Sequence, residues 1–334
     1  MSKIKINTII IKPILTKAEI KNKEGHYFSE DHYTKHNTIV NTNTDVYGID
    51  IDGTKKLLFK FRKNVIPNKI CRDAYNALEK HAKHKNSNRG AAAGKLSLKK
   101  LPKHVGQVMK ADKFRVFYKT KDGKISKDNV SNIAQSNIAG YYDRPDRNAY
   151  NIKSSHTTPS DTKSSDTKSI PMCRTTQFTK KNVAKWRNTI PLIKAADKLF
   201  KQLVPDRYKV QLERAQQTPT FQIDNTAYST ITVNYNWRTA SHCDNGDLDE
   251  GFGNLIVLEK SKSNDTTKDN TTKEITDGYK GGYLGFPRWG ICVDVRQGDF
   301  LAMDVHEYHS NTPIIGDGRL SVVCYLRKKM INCK

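Results

Sequence analysis

No two of the six cysteines (Cys71, Cys173, Cys243, Cys292, Cys324 and Cys333) form a C-x-x-C pair. That absence excludes a zinc ribbon and argues against a secreted disulfide framework, so reduced thiols in an intracellular protein are expected. A signal peptide is also missing, because Ile4 to Leu15 is broken by Lys5, Asn7, Lys12 and Pro13. No stretch reaches the roughly 20 apolar residues of a membrane span, which predicts a soluble chain with no membrane partner. Acidic residues are scarce: 34 stand against 58 Lys and Arg, for a net charge of +24. Such an imbalance implies an anionic partner, and a polyphosphate backbone is the commonest one. A solvated basic surface is the competing explanation. Nothing in the pattern points to a protein partner.

What is present is unevenly spread over the 334 residues, a length that suits one large core or a core with an appended portion. Residues 1–52 are polar with few periodic signals. Residues 53–153 are basic, and from Lys55 to Lys110 there are 16 Lys and Arg against only Asp73 and Glu79. Within it, Ile70, Ala74, Ala77, Leu78 and His81 share one face and predict a helix over 70–83. Phe114 to Tyr118 alternates like a strand and meets a turn at Asp122-Gly123. Residues 154–169 are almost wholly Ser, Thr, Asp, Lys and His and read as a solvated linker or loop.

Beyond residue 170 the pattern sharpens. Thr179 can cap a helix whose apolar face runs through Val183, Trp186 and Ile190, with Phe178 and Val183 as a hydrophobic staple. Pro191 is expected to break or restart it, and Ile193 to Leu203 to form a second helix. Tyr208 to Gln216 is a candidate third. After Pro219 come six short β-rich runs: 230–236, 254–258, 282–286, 290–295, 299–304 and 320–326. Strands of this length after supporting helices predict an α+β protein with a sandwich or jelly-roll core. Residues 261–277, rich in Thr, Asp, Asn and Lys, read as a polar insert between two of them.

The chemistry concentrates in this half. His242 and Asp244 stand two apart, and on a strand such residues leave the same face. With a further histidine they make the two-histidine, one-carboxylate triad that suits an oxygen-activating ferrous ion, because it leaves coordination positions open. His306 and His309 are the candidates for that histidine. They lie three apart and so point to opposite sides of a continued strand. His309, ahead of the Thr312-Pro313 turn, is favoured, leaving His306 structural or a donor to a ligand. Asp247, Asp249 and Asp304 are alternative carboxylates that read more simply as turn or surface residues. Arg319-x-Ser321 follows ten residues after His309. The two share a face, and a guanidinium fork beside a hydroxyl is what the far carboxylate of 2-oxoglutarate needs.

The run N-Y-N-W-R-T-A-S-H-C-D-N-G-D-L-D-E-G-F-G-N-L-I-V-L, with G-G-Y-L-G-F-P, G-D-F-L-A-M-D-V-H-E-Y-H-S-N-T-P and R-L-S-V-V-C-Y, resembles the core of the TET/JBP dioxygenases. The resemblance spans about Arg174 to Arg327, and Ala134 to Pro145 belongs with it. It implies a double-stranded β-helix (jelly-roll, cupin-like) core over residues 170–330 with helices on one side. It also implies that residues 53–153 partly join that fold. By the same resemblance His242, Asp244 and His309 hold Fe(II), and Arg319 with Ser321 holds 2-oxoglutarate, with O2 as the other co-substrate. The implied reaction oxidises the 5-methyl group of thymine or 5-methylcytosine in DNA, giving the hydroxymethyl base, succinate and CO2. A stacked base cannot reach a buried iron, so flipping is required. Asn234, Asn236, Arg238 and Asp247 are candidate base contacts, and Trp237 reads more simply as core. The expected place of action is the nucleus or a site of DNA replication in a eukaryotic or viral setting. Two other readings stand beside this one: the same chemistry on RNA, a free nucleoside or a protein side chain, and a catalytically silent DNA-binding module.

Overall fold

Arg319 to Tyr325 shows how the chain builds its layers. Along this strand Leu320, Val322 and Cys324 are fully buried on one face, while Arg319, Ser321, Val323 and Tyr325 leave the other. The first set packs on helices, and the second lines a cavity. The strand lies within a nine-stranded sheet of a mixed α+β structure, a computed structural model that describes residues 5–35, 39–126, 128–144, 173–260 and 278–333.

Across that sheet the order is Asn7–Ile11, Thr44–Ile49, Lys55–Arg62, Phe300–Met303, Gly253–Glu259, Arg319–Tyr325, Thr230–Tyr235, Ser136–Tyr142 and Arg174–Thr175. All neighbours are antiparallel except the first pair. A four-stranded sheet faces it, in the order Ser310–Asn311, Leu284–Phe286, Ile291–Val293 and Ile39–Val40. One apolar core lies between the two sheets, with Phe59, Phe61, Leu255, Phe286, Ile291 and Leu301 at its centre. The other lies between the large sheet and the helices, where Leu78, Ile193, Phe200, Ile256, Phe300 and Val322 meet. Each such side chain contributes roughly 1.5–3 kcal/mol by leaving water.

The strands predicted beyond residue 219 are all present, within two or three residues of their expected ends. The helix expected over 70–83 runs from Asn68 to Ala82. The amino-terminal residues, nearly silent as a pattern, give three strands of the large sheet and one of the small. The strand Lys55–Arg62 buries Phe59 and Phe61 while its lysines keep their amines near the surface.

Two expectations about helices are corrected. The cap at this point is Thr176, whose hydroxyl accepts from the Thr179 backbone N–H, and it opens the short helix Gln177–Lys181. Pro191 does not interrupt the next helix, which runs unbroken from Val183 to Leu203. Proline removes one backbone donor and crowds the preceding turn. Here Leu192, Ile193, Ala196 and Phe200 are buried and hold the helix against the sheet through that defect.

The thiol expectation is also corrected in part. Cys173 and Cys333 form a disulfide with Cα atoms 5.4 Å apart and a sequence separation of 160, whereas Cys71, Cys243, Cys292 and Cys324 are free. No local spacing announces such a pair. No helix among the described residues is long and apolar enough to cross a membrane. The linker expected at 154–169 and the insert at 261–277 lie outside the described residues.

Candidate metal centre and its cavity

The strand Thr230–Tyr235 ends at Asn236, whose φ of 42° turns the chain off the sheet. His242 and Asp244 therefore do not sit in a regular strand, contrary to expectation. They lie in extended chain beyond it, and an isolated antiparallel bridge joins His242 to His309. The His242 N–H donates to the His309 carbonyl at 3.1 Å and the reverse bond is 2.9 Å. The Asp244 N–H is fixed on the Val305 carbonyl at 3.0 Å. The same-face geometry survives because extended chain alternates whether or not it is ladder-bonded.

These bonds bring three ligand groups together. One atom from each of His242, Asp244 and His309 lies within 4.8 Å of the others. The Asp244 carboxylate oxygens stand 3.6 Å from His242 Nε2 and 3.7 Å from His309 Nε2. Each imidazole has its Nδ1 against a backbone carbonyl, Ala240 at 2.7 Å and Glu307 at 2.9 Å. A carbonyl only accepts, so Nδ1 carries the proton and Nε2 keeps a lone pair for the shared space. Burial pushes the His242 pKa down to about 4, and burial likewise lowers that of His309. Two neutral imidazoles and one carboxylate make a donor set suited to a divalent ion.

His306 is not part of this group. Its Nδ1 is 3.4 Å from Asp304, and that bond raises its pKa. Asp304 pairs with His306, and Asp249 is exposed beside Lys328.

The triad opens into a cavity of about 960 Å³. Arg319 reaches it from the start of its strand, only 1% exposed. Its Nη2 donates to the Gly282 carbonyl at 3.2 Å, while Nε and Nη1 have no hydrogen-bond partner among the described residues. A buried guanidinium with unmet donors is costly, and a bidentate carboxylate is its natural complement. Gly282, at φ +70°, leaves this space: a Cβ there would lie 3.0 Å from Arg319 Nε. Ser321 is beside it, its Oγ accepting from Asn234 Nδ2 at 3.1 Å, which leaves the hydroxyl proton free to donate.

The four residues read as base contacts separate into two pairs. Asn234 and Asp247 line the cavity. Asn234 Oδ1 is buried without a partner among the described residues, and burial pushes the Asp247 carboxyl well above the usual range, favouring its neutral form. Asn236 and Arg238 do not line it. Asn236 accepts from the Arg319 backbone N–H at 2.8 Å and donates to Asp317, and Arg238 donates to the Asn311 and Phe28 carbonyls at 3.2 and 2.8 Å. Trp237 lines the cavity as well. The sequence reading missed Arg89, Tyr142, Tyr325 and Arg327, which also line it. For two of them a signal existed, because the alternation that pairs Arg319 with Ser321 continues to Val323, Tyr325 and Arg327.

Residues 163–328 match the family model for the TET/JBP oxygenase domain of the 2OGFeDO superfamily, and the triad and Arg319 all fall within the match. Residues 163–328 are thus a TET/JBP oxygenase domain. Thymine dioxygenase JBP1 of Trypanosoma brucei brucei is 34% identical over 161 residues, 46% of this chain and 17% of that protein. The bifunctional helicase and thymine dioxygenase JBP2 of Leishmania major is 34% identical over 164 residues, 48% of this chain and 13% of that protein. The chain thus spans less than a fifth of the length of these TET/JBP relatives. A solved structure of NgTET1 in complex with 5mC DNA covers 94% of this chain and 92% of its own at a TM-score of 0.45 and 12% identity, too loose a likeness to carry an argument.

Proposed function

We propose that this protein is an Fe(II)- and 2-oxoglutarate-dependent dioxygenase that oxidises the 5-methyl group of thymine or 5-methylcytosine in DNA. The products are the hydroxymethyl base, succinate and CO2. The core is proposed to be a double-stranded β-helix made by the two facing sheets, over residues 170–330 with part of the amino-terminal third joined to it. One observation carries the reading above the others: Arg319, buried with Nε and Nη1 unpartnered among the described residues, opens into the same cavity as the His242, Asp244 and His309 triad.

The residues present fit the group that the family implies. His242, Asp244 and His309 would hold the iron, and Arg319 with Ser321 would hold the far carboxylate of 2-oxoglutarate. Bound there, the ferrous ion, 2-oxoglutarate and O2 supply the oxidising power for hydroxylating a methyl C–H bond, with oxidative decarboxylation of the co-substrate. The chain's own work is positioning. The Ala240 and Glu307 carbonyls fix both tautomers and aim both Nε2 atoms. Burial of both histidines keeps them neutral and able to ligate at ordinary pH. Asp247, whose burial favours the neutral carboxyl, can then donate a hydrogen bond to a carbonyl or ring nitrogen of a flipped base, and Asn234 Oδ1 can accept one. DNA as the partner is supported by the +24 net charge and the basic stretch Lys55 to Lys110. The relatives' own description as thymine dioxygenases supports it too.

The test is incubation with Fe(II), 2-oxoglutarate and either thymine-only or 5-methylcytosine DNA, followed by mass spectrometry of the nucleosides. A hydroxymethyl base is expected with one of the two, and none with Asp244→Ala. No oxidised base in either DNA, alongside normal succinate formation, would sink the DNA-methyl reading and leave the cofactor assignment standing.

A further inference from the structure

The cavity has a second cationic wall, on the Asp244 side and far from Arg319. Arg327 lies over the Asp244–Asp247 turn, where a Cβ at Gly246 would be 3.6 Å from its Nη2. Its Nε donates to the buried Asp143 at 2.7 Å, and its guanidinium covers the Tyr142 ring at 4.8 Å. Arg144 and Arg174 approach the same ring at 5.5 and 5.8 Å. Arg89 is tethered through its Nε to the Ser136 carbonyl at 3.1 Å, which frees its two terminal nitrogens for other contacts. All four arginines and Tyr142 line the cavity that holds the triad.

We infer that Arg89 and Arg327, the latter on the Tyr142 platform, form the binding site for a phosphodiester next to the flipped nucleotide. This rests on the DNA reading above and adds a part to it. Arg319 and Arg327 are eight residues apart on one alternating face, which at about 3.3 Å per residue is roughly 25 Å of chain, too far for one small diacid to bridge. The two ends therefore serve different anions. Arg89 and Arg327 repel one another, and burial depresses the Arg89 pKa, so an anion between them relieves both penalties. The buried Asp143 does not fill that role, since it is held by Arg327 Nε alone. The Arg327 fork is set in orientation by its ring and the Arg89 fork by the Ser136 carbonyl, and a tetrahedral phosphodiester offers oxygens to both. Such a contact fixes the register of the strand without reading its sequence.

The experiment is equilibrium binding of the full chain to oligonucleotides with one target base, in which the phosphate on its 5′ or its 3′ side is replaced by a neutral methylphosphonate. Wild type is expected to lose roughly tenfold in affinity for one of the two replacements. Arg89→Gln is expected to lose a similar factor on natural DNA and to be indifferent to that replacement. Wild type binding both methylphosphonate DNAs as tightly as natural DNA would overturn the phosphate site. So would Arg89→Gln losing the same further factor on the replaced linkage. If wild type oxidises the base yet ignores both replacements, only the phosphate site falls. If it neither binds nor oxidises DNA, the DNA reading falls with it.

Discussion

Asp244 contributes the carboxylate of the triad, within 3.7 Å of the Nε2 atoms of His242 and His309. Removing groups that merely orient ligands weakens metal binding by about 10–100-fold, so Asp244→Ala should weaken Fe(II) binding by more than roughly 100-fold in an anaerobic titration. His306 makes a different prediction, about pH. Its bond to Asp304 raises its pKa above the ordinary value of 6.5. The stability it gives is therefore complete below pH 6.5 and fades as pH rises through the raised folded value. His306→Gln should flatten the fall in melting temperature above neutral pH while leaving metal affinity nearly unchanged. An unchanged slope would show that the His306–Asp304 pair does not set it.

Elements carry their own tests. Pro191 stands exposed inside the 21-residue helix Val183–Leu203. Restoring the missing backbone donor should stabilise the fold, so Pro191→Ala is expected to raise unfolding free energy by up to about 3 kcal/mol in urea titration. Leu320, fully buried on the helix side of its strand, should lose about 2–5 kcal/mol on change to alanine. The same elements show what a sequence can and cannot disclose. The carboxyl-terminal strands were legible because β-branched and apolar residues are bounded by Gly, Pro and Asn. The helix through Pro191 was not, because tertiary packing at Leu192, Ile193 and Ala196 overrides the local penalty. The strand Asn7–Ile11 was hidden because its partner, Thr44–Ile49, lies far along the chain, and only that partner gives its alternation meaning. At the site, the gathering of His242, Asp244, His309 and Arg319 around one cavity was readable from order and spacing. Arg89 was not, because it lies on an unpatterned loop that only the fold brings to the cavity.

Over the whole molecule, the Cys173–Cys333 bond ties the start of the matched domain to the end of the chain across 160 residues. Closing a loop of that size is worth about 4–5 kcal/mol on chain-entropy grounds, and measured values run lower, so Cys333→Ser should lower stability by about 2–5 kcal/mol. Under reductant the variant and wild type should melt alike, and a difference that persists would assign the effect to packing. The central claim is that one cavity joins a metal triad to a buried carboxylate receptor, and anaerobic calorimetry with Fe(II) and then 2-oxoglutarate tests it most directly. Wild type should bind one metal ion and then one 2-oxoglutarate, and Asp244→Ala should bind neither well. Arg319→Ala should keep the metal and lose roughly 100-fold or more in 2-oxoglutarate affinity, the loss of a bidentate charged contact. An Arg319→Ala protein that binds 2-oxoglutarate as tightly as wild type would contradict the account.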